Sequence, residues 1–420
     1  MRKLICKMFI LLASATVFPL FKVPQVFAYV DATTVSYELS IPRTNYAAVA
    51  LSDGTIVVTG GFIDDSSCGS SSSDPCATDT VEVIDPSTGS VTLLSDTLSE
   101  GKAYHSAITI YEDGTQKVLI CGGYSYDLPY GSSKTCDIYD PTATTKVYAT
   151  DNMSKYRAEF TLTSLPGGYV LAAGGFQLGG TAQVVMEVYD IAKGTWSSMT
   201  NNMNQRRHNH TATLVTDGSG NIFVVIAGGY NNTDGELDSI EVIDVDESSI
   251  KSSTITEVAI LNHERQDFSA NVLSDGTIIF IGGKNTSEGV LNSAEIYDIN
   301  DPTVVTDLTT SSPSSTLFLS GGRYGHATTL LHGKIVIAGG LDSTGTPTGS
   351  VEFFNETTGT FTAAYNGSSL EELDTAVSGV GNAGSAAGLF IIDTDKALLL
   401  GGSTTGDEDG ATAVIQSVDI

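Results

Sequence analysis

The chain has 420 residues, with 20 Lys and Arg against 49 Asp and Glu, a formal charge of −29 and only 16% charged residues. So acidic a chain repels phosphate backbones and anionic lipid head groups, and with no Lys/Arg run to build a basic face it is not suited to nucleic acid or electrostatic membrane docking. Apolar residues at 41% supply a sizeable core, and 44 glycines among so few charges point to many short strands and turns, not long helices.

Residues 1–28 read as an export signal. Arg2, Lys3 and Lys7 make a basic start, Phe9 to Phe21 an apolar stretch, and Val26-Phe27-Ala28 a small-residue cleavage site. The stretch is short for a bilayer and Lys22 interrupts it, so no membrane insertion is expected once the signal is removed. Residues 29–420 are then expected to form one domain, exported to the medium, periplasm or cell surface and acting as a monomer. Next in order, Val35, Tyr37, Leu39 and Ile41 alternate with polar residues, the period-2 pattern of a half-buried strand.

From there one plan repeats seven times. Apolar runs end in Gly60-Gly61, Gly122-Gly123, Gly174-Gly175, Gly228-Gly229, Gly282-Gly283, Gly339-Gly340 and Gly401-Gly402, at steps of 52 to 62 residues. Between 16 and 21 residues before each doublet stands a cation three positions ahead of an aromatic or His: Arg43/Tyr46, Lys102/His105, Arg157/Phe160, Arg207/His210, Arg265/Phe268 and Arg323/His326, with Asn382/Ser385 in the seventh unit. After each doublet comes a short strand that carries an acid: Glu82, Asp137, Glu187, Glu241, Glu295 and Glu352, with Gln416 in the seventh. Turn sequences such as Asp85-Pro86-Ser87-Thr88-Gly89 end several of these strands. A repeat of this length and composition is the signature of stacked supersecondary units.

This pattern resembles the kelch repeat, and it runs through roughly residues 35–420. The resemblance implies an all-β, seven-bladed kelch-type β-propeller, similar to the central domain of galactose oxidase, with four strands per blade. The Trp expected in the fourth strand is present only as Trp196, with Phe361 a weaker equivalent. Because Ile420 follows directly on the third strand of the last unit, the alternating segment at Val35–Ile41 is expected to supply that blade's fourth strand. The ring would then close and two exposed sheet edges would vanish.

The six cation positions admit two readings. They could ring the channel mouth and take a carboxylate or sulfate ligand, since guanidinium matches such oxyanions bidentately. Alternatively, each neutralises the acid of its own third strand, in the pairs Arg43/Glu82, Arg157/Glu187, Arg207/Glu241, Arg265/Glu295 and Arg323/Glu352. Covariation between units favours the second. Asp137 goes with the shorter cation Lys102, and Gln416 with the neutral Asn382.

No catalytic set, cofactor or metal site is expected. His105, His210 and His326 share a position where other units have Tyr or Phe, which marks a packing site, and they fall in units that are not neighbours. Tyr104-His105 resembles the copper-ligating Tyr-His pair of the galactose oxidase family, but the second Tyr, second His and Tyr-linked Cys of that chemistry are not in evidence. In an exported chain, Cys68/Cys76 and Cys121/Cys136 read as two local disulfides.

In such a propeller the connection into the innermost strand and the one after the Gly-Gly emerge on one face, where loops carry binding residues. The ligand-binding candidates on it are Tyr104, His105, Tyr126, Tyr130, Arg206, His208, Asn231 and Asn232, with an acidic loop at Asp407, Glu408 and Asp409 as a possible calcium holder. The expected function is non-catalytic binding of a protein or glycan. The alternative is a carbohydrate-active enzyme, similar to the kelch-type sialic acid mutarotases or copper oxidases.

Overall fold

A computed structural model describes residues 31–63, 76–126, 131–177, 182–308, 321–363, 365–366, 369–370, 389–393, 396–403 and 411–419. They form seven four-stranded antiparallel sheets. Blades one to six each use four strands in chain order, beginning with Ala47–Ala50, Ser106–Glu112, Ala158–Leu165, Thr211–Thr216, Ser269–Val272 and Ala327–Leu331. Blade seven takes Leu389–Asp393, Lys396–Ser403 and Ala411–Asp419 from the end of the chain. First strands of successive blades lie against one another, which puts them innermost, around a common axis.

The second strands explain the apolar runs. In Ile278–Ile281 and Lys334–Ala338 both faces are buried, because each blade is sandwiched between two others. A strand wet on one side would alternate; one covered on both sides reads as a continuous run. Seven apolar clusters fill the seven interfaces. One joins Leu171 and Val188 of blade three to Val224 and Ile243 of blade four, and another joins Ile281 of blade five to Ile337 and Phe354 of blade six. Each such fully buried side chain contributes about 1.5–3 kcal/mol.

Within each of blades one to six a buried cation ties the parts together. Arg43 meets Glu82 at 2.6 Å, Lys102 meets Asp137 at 3.1 Å, Arg157 meets Glu187 at 2.8 Å, Arg207 meets Glu241 at 2.6 Å and Arg265 meets Glu295 at 2.5 Å; Arg323 is paired with Glu352. All of these side chains are buried, so the guanidinium groups lie beneath the channel mouth and not on its surface. The other guanidinium nitrogen of Arg43, Arg157, Arg207, Arg265 and Arg323 donates to the carbonyl of the first glycine of the blade's own doublet. The carboxylate in turn accepts backbone N–H groups from the incoming loop: Ser40 and Ile41 for Glu82, Ser154 and Lys155 for Glu187, Asn204 and Gln205 for Glu241. One buried pair therefore fixes the third strand, the doublet and the entry loop at once.

The doublets also join neighbouring blades. In blades one to five the second glycine donates its N–H to the carbonyl of the next blade's cation residue, as Gly61 does to Lys102 at 2.9 Å. A side chain has no room here: a Cβ on Gly60 would lie 2.3 Å from the Lys102 carbonyl oxygen, and φ is +59° at Gly60 and +100° at Gly61. Fourth-strand aromatics pack across the sheet. Trp196 lies against Tyr189 with ring centroids 5.3 Å apart, and Phe361 lies against Phe354 at 4.9 Å.

An N-terminal strand does close the ring, but it lies upstream of the expected one. Asp31–Thr34 pairs antiparallel with Ala411–Asp419, Asp31 opposite Asp419 and Thr34 opposite Gln416. Val35 N–H, donating to Ile415 O at 3.2 Å, extends the ladder by one residue into the alternating segment. Val35, Tyr37 and Leu39 instead bury one edge of that segment in the apolar cluster between blades seven and one. Its backbone at Ser40 and Ile41 is already committed to Glu82, so the alternation records burial without sheet pairing.

Cys121 and Cys136, directly opposite on adjacent strands of blade two, form a disulfide. Cys76 is disulfide-bonded as well; Cys68 lies outside the described residues, as do residues 1–28. No helix among the described residues is long and apolar enough to cross a membrane.

Two outcomes are expected. Arg265→Met strands the Glu295 carboxylate in the core and should lower stability by about 3–5 kcal/mol. Adding Glu295→Gln, the neutral choice blade seven makes with Gln416, should recover much of the loss, as read from urea unfolding midpoints. A chain truncated to begin at residue 36 exposes the edge of Ala411–Asp419, and should melt lower and associate with rising concentration in light scattering; a truncated chain that stays dispersed and melts like the parent would show the closing strand to be dispensable.

Candidate ligand face at the channel mouth

Two positions after each cation the backbone turns left-handed: φ is +52° at Asn45, +51° at Tyr104, +52° at Glu159, +52° at Asn209, +56° at Asp267 and +61° at Gly325. For residues other than Gly this conformation costs about 1–2 kcal/mol, least for Asn and Asp. The hydrogen bonds it permits show what holds it. Tyr104 N–H donates to Asn45 C=O at 2.9 Å, Glu159 to Tyr104 at 3.0 Å, Asn209 to Glu159 at 3.2 Å, Asp267 to Asn209 at 3.4 Å and Gly325 to Asp267 at 2.9 Å. These peptides link blades one to six head to tail around the axis and form the inner rim of the mouth.

Above the rim, in blades one to six, the residue following the Gly-Gly pairs with the residue following the cation: Thr44 with Phe62, Ala103 with Tyr124, Ala158 with Phe176, His208 with Tyr230, Gln266 with Lys284 and Tyr324 with Leu341. On blades one to four this layer is aromatic. Phe62 meets Tyr104, Tyr124 and Tyr126 at centroid distances of 5.8, 6.3 and 5.9 Å. Tyr124 then meets Phe176 at 6.4 Å, Phe176 meets His208 at 5.1 Å, and His208 meets Tyr230 at 5.4 Å. Tyr126 crowns this arc and is 39% exposed.

Blades three to five carry the charges. His208 Nδ1 lies 2.7 Å from Glu159 Oε2, and Lys284 Nζ lies 3.0 Å from Asp267 Oδ2 and 4.1 Å from the centre of the Tyr324 ring. Burial of Lys284 disfavours its charge, but Asp267, Tyr324 and Glu159 outweigh it and hold the pKa above the ordinary lysine value. Gln266 donates to Glu236 at 3.0 Å. Burial, with Asp238, Glu236 and Glu288 nearby, raises the carboxyl pKa of Glu264. The mouth is thus aromatic on one side and acidic on the other.

Of the residues singled out in the sequence, Tyr104, Tyr126 and His208 lie in this layer. Tyr130, like Asp407, Glu408 and Asp409, falls outside the described residues. Asn232 is exposed, and Arg206 is exposed with its guanidinium donating to Ala182 O at 3.0 Å. Asn231 is buried and organises its own loop: its amide donates to Arg206 O, and its oxygen accepts from Thr233 and Asp234 N–H, each at 2.9 Å. His105 is buried in the seam between blades one and two, 2.7 Å from Thr59 Oγ1, and does not reach the mouth. Sequence reasoning missed Phe62, Tyr124, Phe176, Tyr230 and Lys284, although their shared place after each Gly-Gly was a usable signal.

His210 and His326 repeat the arrangement of His105, 3.2 Å from Thr161 Oγ1 and 3.0 Å from Ser269 Oγ. The three are held in separate seams, and no cluster of His, Cys, Asp or Glu among the described residues could hold a metal ion. Cys121 and Cys136 are consumed by their disulfide, which leaves neither for a cross-link to tyrosine. Burial, with Lys102 and Arg43 nearby, lowers the His105 pKa to about 3; burial beside Arg323 does the same for His326, and His210 is also held well below 6.5.

Two stretches, residues 43–97 and 322–364, match the Kelch motif. Each match runs from at or just before the buried cation, Arg43 or Arg323, through a fourth strand, so it covers one complete blade unit. With seven such blades in the ring, the chain is a kelch-repeat β-propeller. No curated protein sequence matches it significantly.

The buried histidines set a pH dependence. Unfolded, they titrate near 6.5; folded, at about 3 for His105 and His326. The unfolded state therefore binds more protons between those values, and stability falls as pH is lowered through that window. Each such histidine steepens the fall by up to about 1.4 kcal/mol per pH unit. Replacing His105, His210 and His326 with Phe, the residue at Phe160 and Phe268, should flatten the dependence between about pH 6 and 5, as measured by urea titrations at each pH.

Proposed function

We propose that the protein is an exported, non-catalytic propeller that acts as a monomer and binds a protein or glycan ligand on the channel-mouth face. The observation that carries this reading is the aromatic arc from Phe62 through Tyr124, Tyr126 and Phe176 to Tyr230, built on a rigid rim and partly open at Tyr126. Aromatic rings are amphipathic, lose little rotamer freedom on binding, and offer flat faces to sugar rings or to apolar side chains. Such rings set among polar neighbours make a recognition surface, whereas catalysis requires a nucleophile, a base or a metal poised together.

Export is supported by the basic and apolar leader at residues 1–28 and by the disulfide between Cys121 and Cys136, which persists in oxidising compartments. The reading is tested by screening the mature protein against glycan and extracellular-protein arrays and repeating each hit with Tyr126→Ala and Phe176→Ala. Each variant should weaken a true ligand by about 1–3 kcal/mol, roughly five- to 150-fold, with the melting temperature little changed. Hits that both variants bind as tightly as the parent would place recognition elsewhere.

A further inference from the structure

Three buried oxygens on the rim of the mouth lack a donor. Asn45 Oδ1, Asn209 Oδ1 and Asp267 Oδ1 make no hydrogen bond within the protein, and their residues are only 7%, 8% and 6% exposed. A buried acceptor left unsatisfied costs about 1–3 kcal/mol, so three at one repeat position require an explanation. All three belong to the left-handed residue two places after the cation, in blades one, four and five. Where the same position has partners, they lie in the mouth layer: the Tyr104 ring is against Phe62, Glu159 is on His208, and the second oxygen of Asp267 is on Lys284.

The orphan atoms are all acceptors, so what satisfies them must donate. Charge narrows the choice further. Glu159 and Asp267 put two carboxylates at this level, and the Lys284 ammonium is already held between Asp267 and the face of Tyr324. That arrangement shows what the mouth accommodates, a cation between a rim oxygen and an aromatic face. Asn45 and Asn209 stand beside further aromatic rings, Phe62 and Tyr230, each bridged to the residue just before the asparagine. The rim residues of blades one to six are joined in succession by single peptide hydrogen bonds, so Asn45, Asn209 and Asp267 stand at one level around the bore.

We infer that the channel mouth binds a primary ammonium group, with Asn45, Asn209 and Asp267 as acceptors and the exposed ring of Tyr126 for its aliphatic stem. The ligand is an aliphatic amine, either free or as the lysine side chain of a partner. This rests on the mouth being the recognition face and names the chemistry it selects.

The test is calorimetric titration of the intact mature protein with cadaverine and with Nα-acetyl-lysine amide, using the Nε-acetylated lysine amide and galactose as neutral controls. Saturable binding of an ammonium probe and none of the neutral ones is expected. Binding of cadaverine alone assigns a free amine, and binding of the lysine amide assigns a side chain. The variant Asn45→Gly/Asn209→Gly keeps the left-handed backbone, as Gly325 does in blade six, so it should melt like the parent yet bind the probe at least about tenfold more weakly. Asp267→Asn should weaken binding as well. Absence of ammonium binding, equal binding by the glycine variant, or galactose binding that depends on Asn45 and Asn209 overturns the inference. Array hits lost in Tyr126→Ala with no ammonium bound would sink this inference alone, whereas hits indifferent to Tyr126 and Phe176 would sink the reading of the face.

Discussion

The structure depends on a cation buried against a carboxylate, repeated in six of seven blades. Neither group could be left alone in the interior: the charge of an isolated guanidinium or carboxylate is too costly to desolvate. Each pair therefore recruits every polar group around it. The carboxylate takes the N–H groups of the entry loop and the guanidinium takes the carbonyl of the first glycine, as Glu241 and Arg207 do with Asn204, Gln205 and Gly228. The entry loop so placed carries the left-handed residue two positions on, and that residue forms the rim. The channel-mouth face thus inherits its geometry from charges buried beneath it.

Such pairs add little net stability over apolar residues of similar volume, and their contribution lies in fixing one arrangement. Most of the favourable free energy resides in the seven apolar interfaces, where Val, Ile and Leu of adjacent second strands interdigitate. Those contacts alone would tolerate a strand slipping past its neighbour. A buried ion pair does not, because a displaced carboxylate would lose its guanidinium and its loop donors together. Blade seven, with Gln416 in the acid's place, keeps its position partly through the strand it borrows from the other terminus.

How much was legible from the sequence follows from how strictly each position is constrained. The doublets must be glycine, since both φ and space exclude a side chain, and the acid and cation must match in charge and length, as Lys102 and Asp137 do. These stand out in one sequence because it contains seven copies of the same requirement. The closing strand was legible as an event but misplaced by several residues, because alternating burial at Val35, Tyr37 and Leu39 arises equally from a chain wedged between blades. The mouth was least legible. Positions after the doublet hold Phe, Tyr, Phe, Tyr, Lys and Leu, and those after the cation hold Thr, Ala, Ala, His, Gln and Tyr. Only adjacency across blades reveals that these varied residues touch.

The rim peptides of blades two to six point around the axis, each N–H toward the carbonyl of the preceding blade. Dipoles arranged tangentially contribute almost nothing along the bore, unlike those of a helix, which add along its length. The main chain is consequently an electrically silent hoop. The voltage felt by anything entering is written by side chains such as Glu159, Asp267 and Lys284, whose exchange leaves these peptide bonds in place, so the sign of the entrance can be reversed without rebuilding a strand.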